Sequence, residues 1–188
     1  VAMTVNQQCP SSMRATEIVC QEILLNKIDI GMVVGYESMS NCVYMVQKAR
    51  QGLRMGDTKF LDQMLYDGLI DAFNNYHMGV TAENLAEMYN ISREEQDEWA
   101  VMSHQRANAA IAAGRFKEEI VPVEIKTRKG TVVFEVDEHP RANASMENMA
   151  KLRPAFKKDG TVTAGNASGL NDAGAALVIT HREKAEEL

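Results

Sequence analysis

The sequence predicts an α/β fold, and three observations near its N-terminal end indicate it. Residues 1–5 (VAMTV) alternate larger apolar side chains with smaller ones at the two-residue period of a strand. Pro10 follows shortly afterwards, and proline is well tolerated at the first position of a helix. Residues 28–34 (IDIGMVV) are mostly apolar, which is typical of a strand buried in a parallel sheet. Strand, helix and strand together make a βαβ unit.

Cys9 lies where the first predicted strand ends, which makes it the N-cap of the following helix or its neighbour. A thiol there faces the unpaired N–H groups of the first helical turn and the positive end of the helix dipole. Both features favour a thiolate and can hold an oxyanion, so the position suits a nucleophile. The alternative is a packing thiol, because free cysteine is among the most buried residue types.

Composition limits the classes of function. The chain has 188 residues, of which 45% are hydrophobic, so it can bury one sizeable core and its length suggests one domain, or one domain with a smaller insert. A net charge of −6 argues against binding of nucleic acid or of a membrane surface. Neither a membrane-spanning run nor a signal peptide is evident, so we expect a cytoplasmic protein. Three cysteines without CxxC or zinc spacing predict reduced thiols and no metal site.

The helix after Cys9 is predicted over residues 10–26, where apolar side chains recur on one side. Residues 35–40 (GYESMS) leave the C-terminal end of the second predicted strand, where open α/β sheets usually bind ligands. Residues 41–78 mix polar and apolar side chains and predict loops with short helical pieces outside the main sheet.

Two further helices and a hairpin follow. Thr81 is predicted to open the first helix, and Ser92 with Glu95 forms the capping box of the second, which should stop at Gly114. Residues 121–136 contain two alternating stretches separated by a Lys-Gly turn, which predicts a β-hairpin.

Residues 138–160 are predicted to be rich in loops and carry a basic cluster. Phosphate contact is one interpretation of this cluster and an ordinary solvated surface is the other. The cluster consists of Lys151, Arg153, Lys157 and Lys158.

The last part of the chain is predicted to return to the sheet. Residues 161–165 suggest a strand, and the small side chains of residues 166–169 (NASG) let a ligand approach the backbone closely. Residues 174–180 (GAALVIT) predict a closing buried strand, and the charged tail at residues 181–188 should fray or start a helix.

Five separated stretches carry a family resemblance, and together they span nearly the whole chain. They are VNQQCPSSMRA (5–15), GYESMS (35–40), YHMGVTAENLAEMYNISREEQDEWAVMSHQRA (76–107), KLRPAFKKDGTVTAGNASGLND (151–172) and GAALVIT (174–180). In sequence and order they resemble the thiolases, which condense or cleave acyl-CoA thioesters. The resemblance implies a thiolase-like fold, here a partial N-terminal half of βαβ type with an inserted loop domain. The implied ranges are 1–40 for the first part of that half, 41–160 for an insert that binds CoA and mediates oligomerisation, and 161–188 for the closing strand and tail.

The resemblance also implies the site residues. Cys9 matches the acyl-accepting nucleophile, and its backbone N–H matches a group that lines an oxyanion hole. The sequence HMG at residues 77–79 resembles the motif of short-chain, biosynthetic thiolases. The matching substrate contacts are His77 and Met78 beside the pantetheine arm and acyl pocket, Arg141 and Leu152 at the nucleotide end of CoA, and Ala164 and Ser168 in a loop along the pantetheine.

The implied reaction is condensation of two acetyl-CoA molecules to acetoacetyl-CoA and CoA, or the reverse thiolysis. CoA thioesters are then the substrates and no further cofactor is implied. The resemblance implies a homodimer or homotetramer, in which the strand before Cys9 pairs with its mate. Two residues beside the nucleophile differ from the family's usual sequence. Ser12 occupies a position that is usually glycine in thiolases, and Pro10 is uncommon at its position.

Other thiolase motifs have no match in the chain: a histidine in a GHP-type motif, an asparagine in an NEAF-type motif, and a second cysteine followed by glycines. His139-Pro140 lacks the preceding glycine. The chain therefore resembles a central fragment without the extreme N-terminus and the C-terminal half, and we expect it to acylate at most on Cys9. The alternatives are a non-catalytic remnant that keeps CoA-binding or assembly surfaces, and a cysteine hydrolase or redox protein.

Overall fold

The computed structural model describes residues 2–188, and Val1 lies outside the described residues. The chain forms two units, Val1–Ile70 with Leu170–Leu188 and Asp71–Gly169. Residues 41–70 thus belong to the first unit and residues 161–169 to the second. The functional ranges given above stay a prediction, because these units reflect contacts and not function.

In the first unit, a helix packs closely on one strand. Helix α1 spans Ser11–Leu24 with Pro10 as its N-cap, so it begins one residue later than predicted. Strand β1 spans Ile30–Ser38 and turns Gly31 and Gly35 towards α1. A Cβ atom at Gly31 would overlap the side chain of Val19, and one at Gly35 would overlap the hydroxyl of Ser12. The two glycines therefore allow the close approach of the helix.

Strand β6, Asp172–Thr180, pairs with β1 in antiparallel register from Ile30 opposite Thr180 to Ser38 opposite Asp172.

Three predictions for this sheet are wrong. Residues 35–38 lie within β1 instead of leaving it, and the strand beside β1 is antiparallel, not parallel. Strand β6 is exposed up to Val178, because in the described residues α1 covers only one face of this two-stranded sheet. Helix α5, Arg182–Glu187, confirms that a helix starts in the tail.

The strand predicted over residues 1–5 falls partly on Val1, outside the described residues. Residues 2–7 have no regular secondary structure, so this prediction is wrong for the part that is described. A strand needs a hydrogen-bonded neighbour, and no strand within residues 2–188 pairs with this segment.

The rest of the first unit contains short elements. Strands β2, Tyr44–Val46, and β3, Phe60–Asp62, form an antiparallel pair. Helical turns lie around them, at Met39–Asn41, Ala49–Gln51 and Met64–Leu69. The prediction of loops and short helical pieces is confirmed, but the sequence does not reveal the strand pair, because three residues are too few to show alternation.

In the second unit, side-chain caps define two helices. Helix α2 spans Met78–Tyr89 and begins three residues before the predicted Thr81, because the His77 side chain accepts a hydrogen bond from the N–H of Gly79. Helix α3 spans Arg93–Ala112 and has the predicted capping box between Ser92 and Glu95. It ends just before Gly114, whose φ of +70° is left-handed, as the sequence predicts.

The predicted hairpin is confirmed as strands β4, Val123–Thr127, and β5, Gly130–Phe134. A short helix α4, Met146–Ala150, is an addition to the predicted loop region, and the Ser145 hydroxyl caps it. The strand predicted over residues 161–165 is wrong, because this segment forms a single bridge between Pro154 and Thr163 and is otherwise irregular.

Buried side chains of the second unit are both apolar and polar. The apolar ones are Ala86, Val101, Met149 and Val162, and the polar ones are Glu83, Asp97 and Thr163. Two buried carboxylates in so small a group need hydrogen-bond partners, and these partners organise the site described below. Among residues 2–188, no helix combines the length and apolar character needed to cross a bilayer.

The capping box leads to a test of α3. Replacing Ser92 by alanine leaves the N–H of Glu95 without its acceptor, and we expect the free energy of unfolding to fall by about 1 kcal/mol. Ser103→Ala, on the exposed side of the same helix, should change it by less than about 0.5 kcal/mol. Urea unfolding of both variants measures the difference, and equal stabilities would contradict a role for the box.

Candidate functional site

The turn before Cys9 is held by local hydrogen bonds. Gln8 has a φ of 57°, in the left-handed region that non-glycine residues adopt rarely. The Ser11 hydroxyl accepts from the N–H of Gln7 at 2.8 Å and donates to the carbonyl of Gln8 at 2.6 Å. The Asn6 side chain also accepts from the N–H of Gln8, at 3.1 Å. These bonds stabilise an unfavourable backbone conformation directly beside the predicted nucleophile.

The thiol of Cys9 is exposed and directly precedes Pro10, the N-cap of α1. Pro10 makes no side-chain capping bond, so the positive end of the helix remains available to a charge beside Cys9. Cys20 and Cys42 are also free but half-buried, which makes them less accessible. Serine fits at position 12, which is usually glycine in the family, because its hydroxyl lies against Gly35, where no side chain competes for the space.

His77 and Met78 begin helix α2 in the second unit. The Nδ1 atom of His77 accepts a hydrogen bond from the N–H of Gly79 at 2.9 Å. The neutral ring therefore carries its proton on Nε2, which can donate to a ligand. The ring also stacks on Phe156, with centroids 4.6 Å apart and 23° between the planes. Met78 is exposed beside it, so these two side chains present a donor and an apolar surface together.

Leu152 lies against the loop that contains Ala164 and Ser168. A Cβ atom at Gly165 would overlap the side chains of both Met149 and Leu152, so only glycine fits there without displacement. Ala164 and Ser168 are exposed on this loop. The structure thus places Leu152 beside the loop that carries two further predicted substrate contacts.

Glu83 holds the segment that leads into this loop. Its carboxylate, with the residue only 4% exposed, accepts from the N–H of Thr161 at 2.9 Å and from the N–H of Val162 at 2.8 Å. The Thr161 hydroxyl donates to the same carboxylate at 3.0 Å. Burial raises the pKa of Glu83, but these hydrogen bonds and the charge of Lys157 together bring it below its ordinary value.

A partly buried ion pair on α3 connects the same loop with Leu152. The Arg93 guanidinium donates to Asp97 at 2.7 Å, and also to the carbonyls of Met149 at 2.6 Å and Leu152 at 3.2 Å. On the other side, Asp97 accepts from the side chain of Asn166 at 2.9 Å. This ion pair therefore orients the backbone at Leu152 and the loop at Asn166, the two segments that carry these predicted contacts.

Arg141 is held by α3 through its backbone. Its N–H donates to Nδ1 of His104 at 3.2 Å, and its carbonyl accepts from the side chain of Asn108 at 3.0 Å. The ring of His139 lies 5.8 Å from that of His104. Burial lowers the pKa of His104, and the neighbouring charges of His139 and Arg141 lower it further. His104 is consequently an acceptor at neutral pH.

The predicted site residues fall into both units. Cys9 belongs to the first, and the six substrate contacts belong to the second. Of the basic cluster, Lys151 pairs with Glu147 at 2.6 Å and Lys157 with Glu87 at 3.2 Å, so carboxylates already neutralise two of its cations. Within residues 2–188, no three His, Cys, Asp or Glu side chains are grouped as metal ligands would be.

Sequence reasoning missed the residues that support the predicted contacts. They are Glu83, Arg93, Asp97, His104, Asn108, Phe156 and Asn166. The four-residue spacing of Arg93 and Asp97 indicates an ion pair on one helix face. Their long-range partners, such as Asn166, have no signal in the sequence.

The hydrogen bonds to Glu83 predict a pH-dependent stability. Because the pKa is lower in the folded than in the unfolded protein, the stabilisation is complete above the unfolded value, about 4.3 for glutamate. It is lost as the pH falls through the folded value. We expect Glu83→Gln to lower the free energy of unfolding by about 2 to 3 kcal/mol near neutral pH, and the difference from wild type to shrink in acid.

Denaturant unfolding at a series of pH values measures this difference. Glu147→Gln is the matched control, since Glu147 forms an exposed ion pair and should contribute less than about 1 kcal/mol. A constant difference between wild type and Glu83→Gln from neutral pH into acid would refute the assignment.

Comparison with known proteins identifies the family. Residues 1–183 match the family described as thiolase, N-terminal domain. The chain is 50% identical to an acetyl-CoA acetyltransferase of Allochromatium vinosum, which it matches over 100% of its own length and 48% of the relative's. It is 54% identical to a beta-ketothiolase of Cupriavidus necator, over 98% of its own length and 47% of the relative's. The chain thus spans about half the length of the curated relatives it matches.

Solved structures agree with this result. An acetyl-CoA acetyltransferase from Syntrophomonas wolfei has a TM-score of 0.91 and 57% identity, over 97% of this chain and 46% of that one. Human mitochondrial 3-ketoacyl-CoA thiolase has a TM-score of 0.90 and 42% identity, with the same coverage of both chains. The predicted α/β, thiolase-like fold is confirmed, and the chain belongs to the thiolase family, in the part that corresponds to its N-terminal domain.

Proposed function

We propose that the protein is an acyltransferase of the thiolase type, which condenses two acetyl-CoA molecules to acetoacetyl-CoA and CoA or catalyses the reverse thiolysis. The observation that carries the proposal is the exposed Cys9 thiol, presented by a constrained turn at the start of α1. The names of the similar proteins, acetyl-CoA acetyltransferase and beta-ketothiolase, support the same reaction.

In the first step, the Cys9 thiolate attacks the carbonyl carbon of acetyl-CoA. The new bond joins Sγ to the acetyl group, and the bond to the CoA sulfur breaks, so CoA leaves as a thiolate. The negative oxygen of the intermediate needs donors, and we assign the backbone N–H of Cys9 to this role. Exchange of one thioester for another is nearly balanced in energy, so Cys9 can accept the acetyl group and release it again.

We assign the binding of CoA to the second unit. The exposed Arg141 guanidinium suits the phosphates of the nucleotide end, because arginine binds phosphate through paired hydrogen bonds. Leu152 and the neighbouring loop, which exposes Ala164 and Ser168, suit the partly apolar and partly amide character of pantetheine. His77 and Met78 complete the proposed contacts near the acyl group.

The second step forms the carbon–carbon bond. A base removes a proton from the methyl group of the second acetyl-CoA, and the resulting enolate attacks the acetyl carbon on Cys9, which expels the thiolate. We do not assign this base to any of the residues described above. Residues 1–188 by themselves should therefore form acetyl-Cys9 without producing acetoacetyl-CoA.

We further propose a homodimer or homotetramer in the cytoplasm, acting in fatty acid metabolism. The segment from Ala2 to Gln7 supports pairing between copies, because it is mostly exposed and has no strand partner within the described residues. The reaction as proposed needs no separate cofactor, because CoA thioesters are themselves the substrates.

Intact mass measurement after mixing with acetyl-CoA tests the proposal. We expect the wild-type protein to gain one acetyl group, because Cys9 accepts it, and Cys9→Ala to gain none. Cys20→Ala is the matched control, since it removes a half-buried thiol from the helix that follows Cys9 and should leave acetylation unchanged.

Acetylation that persists in Cys9→Ala would contradict the assignment of Cys9 as the nucleophile. Binding of CoA without any acetylation of a folded protein would favour the alternative of a non-catalytic member that keeps CoA-binding surfaces. Alkylation of Cys9 that CoA does not affect would instead favour a cysteine hydrolase or redox protein.

A further inference from the structure

Two side chains of α3 hold both polar backbone groups of Arg141. Nδ1 of His104 accepts from its N–H at 3.2 Å, and the amide of Asn108 donates to its carbonyl at 3.0 Å. The same amide of Asn108 donates to the carbonyl of His104 at 2.8 Å. We call His104 and Asn108 the α3 clamp.

The clamp compensates for a lack of local structure. Arg141 follows β5 in a stretch without helix or strand, and the N–H of Ala144 supplies one more hydrogen bond, to the Arg141 carbonyl at 3.3 Å. The clamp residues are half-buried on a 20-residue helix, whereas Arg141 is exposed. A rigid element therefore fixes the position of the Arg141 backbone and leaves its guanidinium free to meet a ligand.

We propose that His104 and Asn108 are positioning residues that hold Arg141 for the phosphate-bearing nucleotide end of CoA, and that protonation of His104 releases this hold. The inference rests on the proposed function, because it takes Arg141 as a CoA contact. A clamp of this kind acts only on the nucleotide end, so it distinguishes CoA from pantetheine, which lacks the nucleotide.

Protonation acts through the geometry of one hydrogen bond. Neutral His104 accepts at Nδ1, but a protonated ring presents an N–H to the N–H of Arg141, and the bond is lost. The titratable and charged groups that face the ring are His139 and Arg141. Both disfavour the added proton, so the clamp is retained at neutral pH and released in mild acid.

Calorimetric titration of the whole protein with CoA and with pantetheine tests the proposal. His104→Phe removes the acceptor and Asn108→Ala removes the donor, and we expect each to weaken CoA binding about fivefold to tenfold while pantetheine binding stays unchanged. Arg141→Ala should weaken CoA binding further. Gln105→Ala, an exposed neighbour on α3, is the matched control and should bind both ligands as wild type does.

A second arm uses His104→Gln, which keeps an acceptor that cannot be protonated. This variant should bind CoA nearly as wild type at neutral pH and lose less affinity than wild type in mild acid. The terminal phosphate of CoA titrates similarly with both proteins, so the difference between them isolates His104.

The outcomes distinguish failure of the proposed contact between Arg141 and CoA from failure of the α3 clamp. If Arg141→Ala leaves CoA binding unchanged, the proposed contact fails and the clamp proposal fails with it. If Arg141→Ala weakens CoA binding but the clamp variants do not, only the clamp proposal is overturned. Equal weakening of CoA and pantetheine would show a general structural role and would also overturn it.

Discussion

The buried carboxylates of Glu83 and Asp97 organise the second unit. The segment from Thr161 to Asn166 is irregular, yet Thr163 within it is 0% exposed, so its backbone groups need partners other than water. Glu83 accepts from two of its N–H groups, and Asp97 orients Asn166, whose side chain accepts from Thr163 and donates to the carbonyl of Thr161. The exposed loop beyond this segment keeps its position because two helices supply these bonds.

Both units present predicted functional groups on exposed, irregular segments held by a helix. In the first, the left-handed Gln8 places Cys9 before α1, which packs on β1 through Gly31 and Gly35. In the second, α3 fixes the Arg141 backbone and, through Arg93, the carbonyl of Leu152. Ligand-binding segments must be accessible, and side chains from a rigid helix restrict their motion without covering them.

Local signals in the sequence were sufficient for several elements. The capping box at Ser92, the stop at Gly114 and the alternating strands of the hairpin depend on neighbours within a few residues, so their physics is contained in a short window. The family resemblance also followed from the sequence, since motifs such as those around Cys9 and in residues 166–169 keep their order. Arg93 and Asp97 could have been paired from their spacing, but their distant partners could not.

The sequence by itself determined the capped helices and the hairpin, because residues close together in the chain dictate these elements. It also determined the family, because the family's motifs are short stretches of sequence. Only the tertiary structure decided which strand lies beside β1, where β6 is exposed, and that residues 161–165 are not a strand. In that segment, the Glu83 carboxylate of α2 and the side chain of Asn166, which Asp97 of α3 orients, bond the backbone in place of a neighbouring strand. Such hydrogen bonds join residues as far apart as Glu83 and Val162, and no local pattern encodes them.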